Sequence, residues 1–280
     1  QNHSSLVIAV SWMVGTLLSF TLMAIAVREL YGAIPPFEIQ FFRSVTSLVI
    51  LGPILAYKGW SALKTEQPKL QITRNLIHFA AQLGWITGVI MLPLSEVFAI
   101  EFTTPAWAAL IAAIFLGEKL NRGRIIAVIL GLIGVFIILK PGMASINPGT
   151  FAVLAAAIGF AFVIVATKSL TKTDSPLTIL LYMTLIQLPI GAIFASMVWV
   201  SPNLLQLFWL FICGATGVSA HYCTARALKL ADASIAAPMD FMRLPLIVLV
   251  GYVLYAESAE IAVLLGAIII FVGNYYSIQF

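Results

Sequence analysis

The sequence predicts an all-α integral membrane protein in which ten transmembrane helices form two inverted five-helix repeats. Three observations predict this class: an apolar composition, apolar runs of membrane length, and a weak similarity between two halves whose loops differ in charge. Of the 280 residues, 61% are hydrophobic and 9% are charged, and the mean hydropathy is +1.06. Soluble domains have about 45–50% apolar and about 25% charged residues. A water-soluble chain of this length could not bury so many apolar side chains.

The apolar runs are long enough for spanning helices, which need roughly 18 or more apolar residues. The first run, residues 6–26, lacks a positively charged leader and is longer than the core of a signal peptide, so we expect a retained helix. Reading the apolar runs between polar interruptions gives ten spans. Their expected limits are 6–27, 36–57, 72–92, 94–116, 123–140, 150–170, 176–200, 203–228, 232–255 and 260–279.

The basic residues predict the orientation of the spans. If the amino terminus is cytoplasmic, the loops after spans 2, 4, 6 and 8, with the adjoining span ends, contain 11 of the 15 basic residues. The opposite side contains Arg28 and Lys140, and Arg43 and Arg243 fall within spans. Lys and Arg concentrate on the cytoplasmic side of membrane proteins. We therefore predict a multi-pass protein of the cytoplasmic (inner) membrane with both termini in the cytoplasm.

A short pattern recurs in the two halves of the chain. The tripeptide LGE at 116–118 is followed sixteen residues later by Gly134, and YAE at 255–257 is followed sixteen residues later by Gly273. Apolar runs align easily, so this match alone leaves the repeat open. Loop charge supplies the second observation that favours it.

Five spans per repeat, an odd number, place the second repeat upside down in the membrane. We expect the first repeat over residues 1–140, with spans 1 to 5, and the second over residues 141–280, with spans 6 to 10. Equivalent loops then face opposite sides and should differ in basic content. Loop 118–124 (EKLNRGR) has three basic residues, whereas its counterpart 257–260 (ESAE) has none.

Each repeat has a proline within a corresponding span, Pro105 in span 4 and Pro245 in span 9. A proline inside a helix frees a backbone carbonyl, which a bilayer tolerates only where neighbouring protein or a water-filled cavity satisfies it. Matched breaks in two repeats predict a central transport site. Ordinary membrane-helix prolines, such as Pro53 and Pro189, are the alternative. Gly117 is expected to end its helix in a left-handed conformation.

These motifs resemble those of the EamA family of the drug/metabolite transporter superfamily. The resemblance covers the whole chain and is carried by PFEIQFFR (36–43), by PLSEVFAIEFTTPAWAALIAAIFLGEKL (93–120) and by APMDFMRLPLIVLVGYVLYAES (237–258). Ala127 and Ala256 depart from the family pattern, which has glycine there. The run NLIHFAAQLGW (75–85) is also similar to that of aromatic amino acid exporters of the YddG type.

The resemblance implies a hydrophobic central cavity between the repeats, built from spans 1, 3, 4, 6, 8 and 9. It also implies a secondary transporter that moves small amphipathic metabolites, including aromatic amino acids, out of the cytoplasm by alternating access. An exporter or channel for another class of metabolite or drug is the alternative. We expect a small-molecule substrate and membrane lipid as partners, with protons as a candidate coupling ion. No cofactor, metal or nucleic acid is expected.

Span 3 contributes three candidate substrate contacts. At about 100° per residue, His78, Gln82 and Trp85 lie on one face of the helix, and polar groups within a membrane are functional candidates. A structural histidine bonded to a neighbouring carbonyl is the alternative. Gly84 and Gly88 form a separate face that predicts a close helix contact.

Other spans add candidates with weaker support. Trp12 lies on a stripe of span 1 that fits packing equally well, and Trp107 is an apolar surface on which a substrate ring could stack. In spans 6 and 8, the candidates by composition alone are Phe160, Phe162, His221 and Tyr222, with core packing as the favoured alternative. The predicted substrate-binding set is Trp12, His78, Gln82, Trp85, Trp107, Phe160, Tyr222 and Phe241.

The charged residues within spans are expected to pair, because a lone buried charge is costly in a membrane. We expect Glu101 to pair with Arg43, and Asp240 and Arg243, one helical turn apart, to neutralise each other. A role for Glu101 in proton coupling is the sharper alternative.

The sequence argues against an enzyme. The stretch 217–221 (GVSAH) lacks the final glycine of a G-x-S-x-G motif, and H-E-x-x-H does not occur. No catalytic residue is therefore assigned. The chain also has no P-loop, so uphill transport would draw on gradients.

Overall fold

The computed structural model describes residues 3–117, 122–139, 147–230 and 242–279. Within these ranges the chain forms eleven α-helices, one short 3-10 helix at Trp60–Leu63 and no strand. The first half contains α1 (His3–Glu29), α2 (Pro36–Lys58), α3 (Pro68–Met91), α4 (Leu94–Glu101), α5 (Thr104–Leu116) and α6 (Arg122–Leu139). The second contains α7 (Pro148–Leu170), α8 (Pro176–Ser196), α9 (Leu204–Leu230), α10 (Arg243–Tyr255) and α11 (Ile261–Gln279).

The helices correspond to the ten predicted spans, with α4 and α5 together making span 4. In the part of the chain that the structure describes, seven stretches are long and apolar enough to cross a membrane: α1, α2, α4 with α5, α6, α7, α8 and α9. Helices α10 and α11 are apolar but shorter. Helix α3 is less apolar because its buried face is polar, and it begins at Pro68, earlier than expected, since proline is favoured in a first turn.

The packing of the helices has the two-fold pattern of an inverted repeat. Helix α1 packs along α9, and α7, the equivalent of α1, packs along α3, the equivalent of α9. Helices α6 and α11 are equivalent to each other and pack together, as do α2 and α8. The all-α fold of two inverted five-helix repeats is confirmed.

Glycines at the α6–α11 crossing support the same symmetry. The register that aligns Gly134 with Gly273 also aligns Ala127 with Gly266. In the structure Gly134 faces Gly266, and a Cβ added to either would lie 2.7 Å from the carbonyl oxygen of the other. Gly273 faces Ala127, where an added Cβ would lie 3.2 Å from the Ala127 Cα. The alignment converts the Gly134–Gly266 contact into the Gly273–Ala127 contact. A two-fold axis between the repeats requires such equivalent pairs.

Span 4 is broken just before its proline. Helix α4 ends at Glu101 and α5 begins at Thr104, so Pro105 lies in the first turn of α5, where its missing N–H costs little. Neighbouring protein satisfies the freed carbonyls. The Thr104 hydroxyl donates to the Glu101 carbonyl at 2.6 Å, and the Asn274 side chain of α11 donates to the Phe102 carbonyl at 2.8 Å.

The second repeat has a similar start and end around its proline. Pro245 lies in the first turn of α10, which begins at Arg243. Gly117 ends α5 in the left-handed conformation, φ 67° and ψ 20°, as predicted, and Ala256 ends α10 in the same conformation, φ 52° and ψ 27°. Only glycine adopts this conformation readily, so Ala256 is strained.

The Asp174 carboxylate joins the loop before α3 to the loop between α7 and α8. Its Oδ2 accepts hydrogen bonds from the Thr65 hydroxyl at 2.6 Å and the Gln71 amide at 2.7 Å, and its Oδ1 accepts one from Thr173 at 3.0 Å. Burial raises the pKa of Asp174, but these hydrogen bonds outweigh burial and leave the pKa below its ordinary value of 3.8. Both loops are predicted to be cytoplasmic, and they meet at one end of the bundle.

An ion pair joins the loops at the opposite end of the bundle. Arg28, at the end of α1, pairs with Glu257 at 2.7 Å and donates to the Leu92 carbonyl at 2.7 Å. The other oxygen of Glu257 accepts from the Leu94 backbone N–H at 2.8 Å, at the start of α4. The ion pair and these hydrogen bonds therefore join loops that are predicted to be extracellular.

Candidate functional site

The middle of the bundle contains a group of four rings from four helices. We call Phe20 of α1, His78 of α3, Phe160 of α7 and His221 of α9 the central ring cluster. The His78 ring centroid lies 5.5 Å from that of His221 and 5.9 Å from that of Phe160, and Phe20 lies 6.0 Å from His221. These helices are spans 1, 3, 6 and 8, four of the six expected to build a central cavity.

A chain of buried polar side chains leads away from the cluster. The Gln187 side-chain amide lies 2.9 Å from His78 Nδ1 and donates to the Asn75 carbonyl at 3.1 Å. Gln40 donates to the Gln187 side-chain oxygen at 3.3 Å, and Arg43 donates to Gln40 Oε1 at 2.7 Å. His78 is thus hydrogen-bonded to the side-chain amide of another helix.

The predicted face of α3 is buried as a unit. His78, Gln82 and Trp85 are all buried, and Gln82 has no hydrogen-bond partner for its side-chain nitrogen among the described residues. Gly84 and Gly88 face α7, where an added Cβ on Gly84 would lie 2.8 Å from the Ala152 carbonyl oxygen. The predicted close helix contact is confirmed.

The pairing expected for Glu101 is wrong. Glu101 contacts Arg243 at 3.2 Å, not Arg43, and accepts a hydrogen bond from Trp85 Nε1 at 2.8 Å. The Arg243 guanidinium also lies 4.8 Å from the Phe20 ring centroid. Because α4 and α5 are separate helices divided at residues 102–103, the angles of one continuous helix could not identify this partner. The predicted contact between Asp240 and Arg243 falls outside the described residues.

Trp12 and Tyr222 meet at the end of the α1–α9 contact predicted to be cytoplasmic. Their rings lie 5.8 Å apart, edge to face, and the Arg226 guanidinium lies 5.2 Å from the Trp12 ring centroid. The rest of the α1 stripe packs on α9: the Ser19 and Ser219 hydroxyls lie 3.0 Å apart. These contacts separate Trp12 and Tyr222 from the central ring cluster and favour the packing interpretation of the stripe.

Trp107 lies on a different side of the molecule. Its Nε1 donates to the Thr103 hydroxyl at 3.1 Å, and with Val128 and Gly131 of α6 it lines a small cavity of about 10 Å³. A larger groove of about 480 Å³ lies between α10 and α11, lined mainly by apolar side chains and by Glu257. Neither cavity is the central one that was expected; the central rings are in mutual contact. Phe241 lies outside the described residues.

Sequence reasoning missed several members of this centre. Gln40 and Gln187 lie in the apolar spans 2 and 7, and neither was selected as a candidate. Phe20 was one of many phenylalanines. The signal that could have found the glutamines is burial cost, since an amide in a membrane helix needs a hydrogen-bond partner from another helix.

Comparison with protein families identifies the class. A model described as the EamA-like transporter family matches residues 7–140 and, a second time, residues 147–278. The chain belongs to the EamA-like transporter family. This EamA-like protein is therefore a multi-pass membrane transporter and not an enzyme, as the sequence predicted.

Curated relatives of this EamA-like transporter cover most of its length. An S-adenosylmethionine uptake transporter of Rickettsia bellii is 28% identical, with 94% of this chain and 90% of the relative covered. A riboflavin transporter of Brucella anthropi is 30% identical, covering 87% and 88%, and one of Vibrio cholerae is 28% identical, covering 92% and 89%. The names of these relatives do not include the aromatic amino acid exporters to which the sequence also showed similarity.

A solved structure supports the fold of this EamA-like transporter. Titled "Crystal structure of protein", it superposes with a TM-score of 0.66 at 16% identity and covers 99% of this chain and 96% of its own. At this identity the likeness concerns the fold alone.

Proposed function

We propose that this transporter carries a small amphipathic metabolite that has a planar ring and an amino acid group, through a site at the central ring cluster. Aromatic amino acids, which the sequence favoured, fit this description. S-adenosylmethionine, named for the Rickettsia bellii relative, fits it too, because it joins an adenine ring to a methionine backbone. The observation that carries the proposal is the junction of rings and buried polar groups at His78.

The His78 junction supplies both kinds of contact that such a substrate needs. Ring faces and edges from Phe20, Phe160 and His221 can contact a planar group through offset or edge-to-face packing. Gln187 and Gln82 place amide groups beside them, and the unpartnered Gln82 nitrogen would gain a hydrogen bond from a substrate acceptor. Mostly apolar sites with a few placed polar groups are typical of small-molecule binding.

Transport by alternating access follows from the inverted repeats. Carriers of this architecture bind substrate near the midplane, and one bundle moves against the other around that site. We infer that Arg28–Glu257 at one end and Trp12–Tyr222–Arg226 at the other are contacts that must separate in turn. Net outward movement, the direction favoured by the sequence, and coupling to protons through Glu101 are parts of the proposal.

Counterflow in proteoliposomes tests the proposed substrate class. Purified transporter is reconstituted with unlabelled candidate inside, and entry of the labelled compound is measured for tryptophan, phenylalanine, S-adenosylmethionine and riboflavin. We expect saturable counterflow of at least one of the three amino acid compounds. Counterflow of none of them would contradict the proposed substrate, and non-saturable ion conductance would instead favour the channel alternative. Equal rates of substrate transport in inside-out and right-side-out vesicles would contradict a preference for outward transport.

Substitution of His78 tests the site. His78→Ala removes the partner of Gln187 and a ring of the cluster, so we expect transport per molecule of reconstituted protein to fall at least about tenfold, the equivalent of about 1.4 kcal/mol. Trp60→Ala is the control, because Trp60 is 81% exposed, and it should leave the rate unchanged. A wild-type transport rate in His78→Ala would contradict a substrate site at His78. The predicted contact at Trp107 would then be tested by substitution.

A further inference from the structure

Arg43 is a buried guanidinium for which the described residues supply no carboxylate. It lies within α2 and is 5% exposed. Among the described residues, its side chain donates to the neutral side chain of Gln40, and its Nε has no hydrogen-bond partner. Removing a charged group from water costs several kcal/mol unless an opposite charge or strong hydrogen bonds compensate, and charges retained within membrane helices are functional candidates.

The other two buried arginines of the described spans have fuller sets of contacts. Arg243 is paired with Glu101. Arg74 donates from Nε to the Thr167 hydroxyl at 2.9 Å and from Nη1 to Asn75 at 2.6 Å. Arg43 differs from Arg243 in having no carboxylate partner among the described residues, and from Arg74 in having an Nε with no hydrogen-bond partner. A guanidinium cannot lose its charge to avoid the cost of burial.

A glycine faces the unused side of Arg43. A Cβ added to Gly217 of α9 would lie 3.2 Å from Arg43 Nη2 and 3.5 Å from Nε. These two nitrogens form one edge of the planar guanidinium, the edge that binds a carboxylate through two parallel hydrogen bonds. Gly217 therefore lies against that edge and presents no side chain to it.

We propose that the Nε and Nη2 edge of Arg43 binds the carboxylate of the transported substrate. The inference rests on the proposed function and deepens it: the substrate is a carboxylate, which includes amino acids and S-adenosylmethionine and excludes riboflavin. The hydrogen-bonded chain from Arg43 through Gln40 and Gln187 to His78 connects this carboxylate site to the central ring cluster. A substrate with its carboxylate at Arg43 directs its ring toward those rings.

The test compares each acid with its neutral amide. In proteoliposomes, counterflow of labelled phenylalanine or S-adenosylmethionine is competed with the acid and with the corresponding carboxamide. We expect wild-type protein to prefer the acid by about tenfold or more, because hydrogen bonds to charged groups contribute about 1.5–3 kcal/mol. Arg43→Gln should abolish this preference. Arg74→Gln, which removes an equally buried guanidinium, should keep it.

The possible outcomes separate this inference from the proposed function. A wild-type protein that moves none of the carboxylates disproves both. Transport with equal affinity for acid and amide, or an undiminished acid preference in Arg43→Gln, disproves the carboxylate site alone. If Arg43→Gln does not fold, Gly217→Ala decides, because its methyl group crowds the Nε and Nη2 edge and keeps the charge. It should lower the acid preference, and a wild-type preference in Gly217→Ala would overturn the inference.

Discussion

At the scale of single residues, the second repeat contains a strained backbone conformation at Ala256. Ala256 has a positive φ of 52° at the end of α10, the one non-glycine residue with positive φ in the described ranges. Its equivalent in the first repeat, Gly117, adopts φ 67° without a Cβ. The repeats therefore share a helix ending that the second achieves with a less suitable residue.

Ala256→Gly should stabilise the protein. A left-handed L-residue costs about 1–2 kcal/mol, and the greater freedom of glycine in the unfolded chain offsets about 0.4–1 kcal/mol of the gain. We expect a net increase of about 0.5–1 kcal/mol, measured as a higher midpoint of thermal unfolding in detergent. Gly117→Ala is the mirror experiment and should lower the midpoint. An unchanged or lowered midpoint for Ala256→Gly would argue that Ala256 is not strained.

How far residue roles can be read from sequence depends on distance along the chain. The left-handed ending at Gly117 and the common buried face of His78, Gln82 and Trp85 were predictable because both follow from local geometry. The partner of Glu101 was not, since Arg43 and Arg243 are both arginines within spans and only the path of the broken span 4 distinguishes them. The hydrogen bond between Gln40 and Gln187 joins two repeats, and neither helix alone predicts it.

At the scale of elements, the helices meet through small residues and the loops through polar contacts. At the α6–α11 crossing, a Cβ added to Gly134 would lie 2.7 Å from the Gly266 carbonyl oxygen, which is too close. A Cβ added to Gly131, one turn earlier on α6, would make only an ordinary contact of 3.5 Å with the Ala106 side chain. Two glycines of one helix thus have different tolerance for a methyl group. The recurring pattern in the sequence includes Gly134 but could not show how its tolerance for a methyl group differs from that of Gly131.

Gly134→Ala should separate α6 from α11 and lower stability. A Cβ at 2.7 Å from a backbone oxygen cannot be relieved by a side-chain rotation, and overpacking typically costs about 1–3 kcal/mol. Gly131→Ala, in the same helix, should be neutral or slightly stabilising. The measurement is the unfolding midpoint of both variants in the same detergent. Equal midpoints for the two variants would contradict the close crossing.

Asp174 makes the loop contact pH-dependent. Because its pKa is lowered by folding, its carboxylate stabilises the folded state above its ordinary pKa of 3.8, and this contribution is lost as the pH falls through the lowered folded value. Asp174→Asn should therefore be less stable than wild type at neutral pH, by about 1 kcal/mol. Unfolding midpoints measured from pH 7 downward should converge as the acid range is reached. A difference independent of pH would exclude an ionised Asp174 as the cause.

At the scale of the whole molecule, two bundles of opposite orientation enclose the polar centre. The symmetry could be predicted because five spans per repeat and diverging loop charges are properties of the sequence. The closed centre could not, since the mutual contact of rings from α1, α3, α7 and α9 depends on which conformation the two repeats adopt. The division into repeats at residues 1–140 and 141–280 remains a prediction.

Thiol labelling in intact cells tests the opposite orientation of the repeats. We expect a single cysteine in place of Leu120 to react from the cytoplasmic side, and one in place of Ala259 to react with an impermeant reagent from outside. The native Cys213 and Cys223 are buried, so replacing both with alanine gives a clean background. If positions 120 and 259 react from the same compartment, the antiparallel pairing is wrong and so is the carrier mechanism.

The glycine crossing of α6 and α11 has a consequence for motion. The two backbones approach closely there, and the side chains of Ile270 and Ile138 pack onto Gly134 and Gly266. Because these contacts hold α6 and α11 together, we expect the two helices to stay in contact during transport, and this point serves as the fulcrum about which the repeats tilt. We expect a crosslink placed at the fulcrum to leave substrate turnover intact, whereas one across Trp12 and Tyr222 would arrest it.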